Sequence, residues 1–317
     1  MLTVAARRPA IVRPIFSVLL TATIFALILR RVPLAALGAA LRDADRGRFL
    51  ALMIPNTLFY FAWDTLVLTL VVRWFHGAVR YSELLPVRAA SYVVGFFNTN
   101  LGRGALAAYL SRRLQAPFLE LGSTVLFLVL TEYTQLVLWA MLGLLAVGPD
   151  VSRSLIGVAA AVAVLWLVVR WLLAPRSWSI SRTFRLATPA RCCTIVLLRA
   201  PMFFVSLVLH YHAAHAFGIY IPFVQMLTFL PVIFMVAALP VTVAHLGGTQ
   251  AAWIFFFSLY APAPRLLAFS LAAHLVFTLT RAVCGVLWLP AAYADLVARP
   301  TERHAIAVGG AGLQPRR

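Results

Sequence analysis

Two carboxylates and three guanidiniums stand inside apolar runs of this 317-residue chain. Asp64 lies in Trp63-Asp64-Thr65, and Glu132 lies in Thr131-Glu132-Tyr133-Thr134-Gln135. Arg103 follows Gly102, Arg199 falls in the run 192–218, and Arg281 falls in the run 266–293. An ionised side chain at membrane depth costs roughly 2.5–3.5 kcal/mol on insertion scales, so each needs a partner or a purpose. One chemistry that uses four of them is a polar cavity in which Arg103 and Arg281 attract an anionic headgroup. Asp64 and Glu132 then balance those charges or carry a coupling proton. The plainer alternative is that they pair as locks between helices.

The elements that position these groups follow from composition. Hydrophobic residues make up 63% of the chain and charged residues 11%, against about 45–50% and about 25% in soluble domains. A soluble fold cannot hide that much apolar surface, so a multi-span, all-α membrane protein is expected. The 27 basic residues, all Arg, outnumber the 9 acidic ones. They lie between apolar runs and form no stripe, which argues against a nucleic-acid partner.

Six stretches are long enough to cross a bilayer, near 11–29, 49–73, 118–147, 154–174, 192–218 and 266–293. Two further apolar regions, about 84–110 and 224–260, are interrupted. The first breaks at Asn98-Thr99-Asn100-Leu101-Gly102-Arg103-Gly104, the second at Pro240 and at His245-Leu246-Gly247-Gly248. Backbone freed at such breaks is tolerated where protein buries it or a cavity hydrates it. Both regions read as re-entrant or broken helix pairs; kinked spans are the alternative.

Counting Arg in the loops places both termini on the cytoplasmic side of an inner membrane. Residues 30–48 disagree, with Arg30, Arg31, Arg42, Arg46 and Arg48 on the opposite side. That stretch is read as an amphipathic interfacial helix with Leu34, Leu37 and Leu41 on one face. The first pair then dips from inside and the second from outside. A single membrane domain over 1–300 results, with inverted halves near 11–147 and 154–293 and a short basic tail at 301–317. Inverted halves with interrupted helices in matching places point to a transporter's central site. The helices that start after each Gly-rich break would turn their positive ends toward that site, which suits a phosphate better than a cation.

No metal or other cofactor is expected. His210, His212 and His215 share a helix without a carboxylate, and the three Cys show no ligand spacing. No nucleophile with a positioned base, P-loop or dinucleotide fingerprint appears, so the chain is not read as an enzyme.

Two motifs carry a family resemblance. The first runs from Gly95 to Leu110, with Asn98, Gly102-Arg103-Gly104 and Tyr109-Leu110, then Ser111-Arg112-Arg113 and the Glu132 span. The second runs from Leu239-Pro240-Val241-Thr242 to Leu246-Gly247-Gly248-Thr249-Gln250-Ala251, then Arg281 to Gly285. In these the chain resembles the flippase-like membrane domain of the lysylphosphatidylglycerol synthases, including its stand-alone and glycosyltransferase-associated relatives. The family's signature charges are thinned here. Leu101 stands where Pro is usual, Ala105 where Glu is usual, Thr249-Gln250 where Arg-Glu is usual, and Tyr133 where Arg is usual.

The resemblance implies movement of a lipid or lipid-linked precursor between leaflets. The substrate would meet Asn98, Asn100, Gly102, Arg103, Gly104, Glu132, Pro240, Gly247, Gly248, Gln250 and Arg281, with Asp64 and Glu132 as coupling groups. The thinned charges leave a second expectation: a non-transporting accessory subunit for a cell-envelope glycosyltransferase or lipid-synthesis enzyme.

Overall fold

The computed structural model describes residues 23, 26–30, 32–97, 99–147, 178–238 and 247–310. All regular structure among them is helical. Helix α1 spans Leu34–Asp43, α2 Arg46–His76, α3 Tyr81–Phe97, α4 Thr99–Leu114 and α5 Phe118–Val147. After a short 3-10 turn at Ser179–Ser181 come α6 Arg182–Leu186, α7 Pro189–His215, α8 Phe223–Ala238, α9 Gly248–Phe257 and α10 Ala263–Gly310.

Four of these helices contain stretches long and apolar enough to cross a membrane: Arg46–His76, Phe118–Ala146, Pro189–His215 and Ala263–Tyr293. They match the spans expected at 49–73, 118–147, 192–218 and 266–293. Most of the stretch 11–29 and all of 154–174 lie outside the described residues. Large apolar side chains on the spanning helices point outward, among them Leu66, Leu142, Leu197 and Leu287. Such a surface has lipid as its natural solvent.

Local chemistry sets where the helices start. Asp45 caps α2 by accepting from the backbone N–H of Arg48 at 3.0 Å. Thr188 caps α7 by accepting from Arg191 N–H at 3.3 Å, with Pro189 in the first turn. Both arrangements satisfy amides that a helix start leaves unpaired.

The long helices run in alternating directions. Helices α2 and α7 are antiparallel: Asp45 N–H meets the Ala216 carbonyl, Asn56 meets Ser206, and the Trp63 indole N–H donates to the Leu198 carbonyl at 2.6 Å. Helix α10 runs parallel to α2, with Phe49 against Phe269 and Tyr60 against Phe277. Helix α5 runs antiparallel to α2, with Thr124 at His76 and Glu132 at Tyr60.

Two helical hairpins fill the remaining space from opposite ends of the bundle. The pair α3/α4 opens at the end where α2 finishes, and Glu83 and Arg113 form an ion pair across its mouth. The pair α8/α9 opens at the end where α2 begins, with Phe229 stacked on Phe256. Glycines allow the closest approaches. A Cβ on Gly102 would lie 2.8 Å from both Gly95 Cα and the Ser91 carbonyl oxygen, and one on Gly285 would lie 2.7 Å from the Ala89 carbonyl oxygen.

The first chain break differs from the sequence expectation. Helix α4 already begins at Thr99, so Gly102-Arg103-Gly104 lies within a helix and not at its interruption. The second break agrees, since α9 starts at Gly248 with Gly247 as its cap at φ +90°. The region 30–48 does contain a helix, α1, in which Leu37 packs inward while Leu34 and Leu41 stay exposed. Helix α10 continues to Gly310, through the first ten residues assigned to a tail.

Buried apolar side chains form two main clusters. One gathers the start of α2, the end of α7, α8, α9 and the start of α10, with Met53, Leu207, Met226 and Phe269. The other gathers the end of α2, α3, α4, α5 and the start of α7, with Val71, Leu84, Leu110 and Ile195. A cavity of about 300 Å³ is bordered by members of both.

Candidate functional site: an arginine-lined cavity

Helices α2, α3, α4, α5, α7, α8, α9 and α10 all contribute to the cavity wall. Arg88, Arg103, Arg199 and Arg281 line it, opposed by Asp64 and Glu132. Guanidiniums thus outnumber carboxylates by two around the cavity.

The carboxylates are held. Asp64 Oδ2 accepts from Arg88 Nε at 2.9 Å and also from Arg88 Nη2. Glu132 Oε1 accepts from the Tyr60 hydroxyl at 3.0 Å. Arg199 lies between them, with Nη2 3.7 Å from Asp64 and Nη1 4.0 Å from Glu132. Both distances are too long for hydrogen bonds. Arg199 is only 2% exposed, and its Nε and Nη1 have no hydrogen-bond partner among the described residues.

The other two arginines lack a carboxylate among the described residues. Arg281 lies over the Tyr92 ring at 3.5 Å and near the Phe277 ring at 4.9 Å, with its Nε unpartnered. A cation–π contact orients a guanidinium without neutralising it. Arg103 reaches the cavity from the second turn of α4 and acts electrostatically on Tyr133. Arg199 and Arg281 thus bring buried donors without partners to one cavity, and burying such groups unpaired is costly unless something fills the gap.

Described residues of both helix pairs border this same cavity. Gly95, Gly102 and Arg103 come from α3/α4, and Ala237, Thr249 and Trp253 come from α8/α9. The first turns of α4 and α9 therefore abut it, and helix N-termini favour negative charge.

Of the residues singled out in the sequence, Asp64, Gly102, Arg103, Glu132 and Arg281 meet at the cavity. Gly104 lies in α4 away from it, with no atom within 4 Å of a Cβ built there. Gln250 is fully buried and accepts from Gly247 N–H at 2.6 Å. Its neighbour Thr249 reaches the cavity instead, so Gly247, Gly248 and Gln250 shape the start of α9 without lining the site. Asn98 and Pro240 lie outside the described residues, as does the side chain of Asn100.

Asp64 is tied to Arg88, so the lock reading describes this pair better than a freely titrating group does. Arg88, not selected from the sequence, stands two turns into α3, paired with Asp64. The signal for it was present: it lies inside the interrupted region 84–110, and Asp64 needed a cation. Tyr60, Tyr92, Asn56, Gln135, Ser206 and His210 are further lining residues that sequence reasoning did not select. His210 was placed at an outer helix end but is buried against Phe234. No cluster of three metal-ligating side chains exists among the described residues.

No family model, curated protein or solved structure matches this chain.

Proposed function

We propose that this chain is an inner-membrane, flippase-like protein that passes the headgroup of an anionic lipid or lipid-linked precursor between leaflets. The observation that carries the reading is the cavity itself: four arginines against two carboxylates at membrane depth, bordered by two helix pairs that enter from opposite ends.

In this reading the hairpins are re-entrant pairs of two inverted halves. The charge count of the loops puts both termini in the cytoplasm. Arg103, Arg199 and Arg281 hold the headgroup, and the acyl or prenyl tails stay in lipid. Tyr60 and Arg199 keep Glu132 in place as a mobile counter-charge, so the guanidiniums need not be stripped bare when the headgroup leaves. The resemblance to the membrane domain of lysylphosphatidylglycerol synthases supports the same class of substrate. In this reading the lipid is moved and not altered. A lipid- or glycan-synthesis enzyme would be the natural supplier of such a substrate.

The reading is tested in vesicles containing phosphatidylglycerol labelled on a tail with a dithionite-quenchable fluorophore. Vesicles holding the protein are expected to expose inner-leaflet probe at least about tenfold faster than empty vesicles, equivalent to lowering the crossing barrier by roughly 1.4 kcal/mol. Equal rates contradict the proposal.

A further inference from the structure

Arg88, Arg199 and Arg281 gather toward one end of the cavity, around Asp64 and Tyr92. Helices α2, α5, α7 and α10 carry their polar lining residues in the same order along it. Helix α2 presents Asn56 before Asp64, α7 presents His210 and Ser206 opposite Asn56 and Arg199 opposite Asp64, and α10 presents His274 before Arg281. On α5, Gln135 lies on the Asn56 side of Glu132. At 1.5 Å rise per residue, Asn56 stands about 12 Å from Asp64, and His210 about 16 Å from Arg199. One end is therefore built of guanidiniums and carboxylates. The other carries amides, hydroxyls and imidazoles from Asn56, Gln135, Ser206 and His210.

That second end has unused hydrogen-bonding capacity. Gln135 is 2% exposed, and its Nε2 has no partner among the described residues. Ser206 donates to Asn56 Oδ1 at 2.9 Å. The His210 Nδ1 lies 2.7 Å from the Ser206 carbonyl oxygen. A carbonyl only accepts, so Nδ1 carries the proton and Nε2 is left for another group. Phe234 and Trp253 add apolar faces beside these atoms. Such a mixture of amide donors, acceptors and aromatic faces suits a ligand that both gives and takes hydrogen bonds and carries no charge. The cavity's 300 Å³ falls at the lower end of the ~300–1,000 Å³ usual for small-ligand sites.

We propose that this end receives a neutral polyhydroxyl group attached to the phosphate held by the arginines, so that the headgroup is a phosphate ester of a sugar or polyol. The proposal rests on the translocation reading above and names its substrate class. Phosphate meets Arg103, Arg199 and Arg281, while the hydroxyls meet Gln135, Asn56 and His210.

The test measures binding of fluorescent lipids to the purified full chain in detergent. The probes are phosphatidate, phosphatidylglycerol, phosphatidylinositol and a polyprenyl phosphoglucose. At least one hydroxylated lipid is expected to bind about tenfold more tightly than phosphatidate. A gain with glucose alone assigns the pocket to a sugar, and one with inositol or glycerol assigns it to a polyol. Gln135→Met is expected to erase that preference, bringing the hydroxylated lipid to within about twofold of phosphatidate; where this variant does not fold, the wild-type preference decides. Equal affinity for all four lipids overturns the proposal and leaves the translocation reading standing. A preference that survives both Gln135→Met and Asn56→Leu also overturns it. Absence of binding to any probe, phosphatidate included, overturns both readings.

Discussion

Asp64→Leu is expected to destabilise the protein by about 3–5 kcal/mol, the usual consequence of removing one partner of a buried ion pair. The side chain of Asp64 accepts two bonds from Arg88 and faces Arg199 at 3.7 Å. Without it, Arg199 keeps only Glu132, at 4.0 Å, and Arg88 keeps no carboxylate partner among the described residues. The cost comes from the stranded cations more than from the lost attraction. The double variant Asp64→Leu/Arg88→Leu is therefore expected to recover most of the loss, because buried pairs replaced by apolar groups of similar size are often neutral. Thermal unfolding of the four proteins of this cycle in one detergent measures it. A double variant no more stable than Asp64→Leu would show that Arg88 and Asp64 do not act as a pair.

The second large effect is steric. Gly102→Val is expected to force α3 and α4 apart and to slow lipid crossing by more than about tenfold. A Cβ at this position meets the backbone of α3, at 2.8 Å from Gly95 Cα and from the Ser91 carbonyl oxygen. Backbone cannot rotate away as a long side chain does, so the hairpin itself must open. Overpacking of this kind costs typically 1–3 kcal/mol. It also displaces Arg103, the next residue, from the cavity wall. Gly104→Val is the matched control, since nothing lies within 4 Å of a Cβ there. Vesicle crossing rates for the two variants decide the matter; similar rates for both would mean that the α3/α4 contact does not set the site.

These effects bear on what the sequence could disclose. Runs such as 118–147 are legible because lipid demands uninterrupted apolar helix, and α5 ends within a residue of that reading. The hairpin break was harder to place. Glycines cost a helix roughly 1 kcal/mol each relative to Ala, so Gly102 and Gly104 look like breakers. In a membrane the backbone must still bond to itself, and Gly102 serves close packing inside α4 instead. Asp64, Glu132, Arg103 and Arg281 were recognisable because charge inside an apolar run stands out against its neighbours. Gln135 and His210 were not, because an uncharged polar group in a membrane helix has many ordinary uses. Only the antiparallel pairing of α2 with α7 turns Asn56, Ser206 and His210 into one wall. Arg88 was hidden by its closeness in sequence to Arg73, at the end of α2, and to Arg80 in the loop that follows, although the tertiary fold gives it to Asp64.

The claim at the centre of this account is that an anionic headgroup travels through the arginine cavity. Neutralising the two arginines that lack a carboxylate partner, in Arg103→Gln/Arg281→Gln, tests it most directly. Crossing rates would be measured in vesicles for labelled phosphatidylglycerol and labelled phosphatidylcholine, with variant and wild type matched for thermal stability. The account predicts about tenfold slower crossing of the anionic lipid and little change for the zwitterionic one. Equal rates for variant and wild type with phosphatidylglycerol, or an equal loss for both lipids, would contradict it.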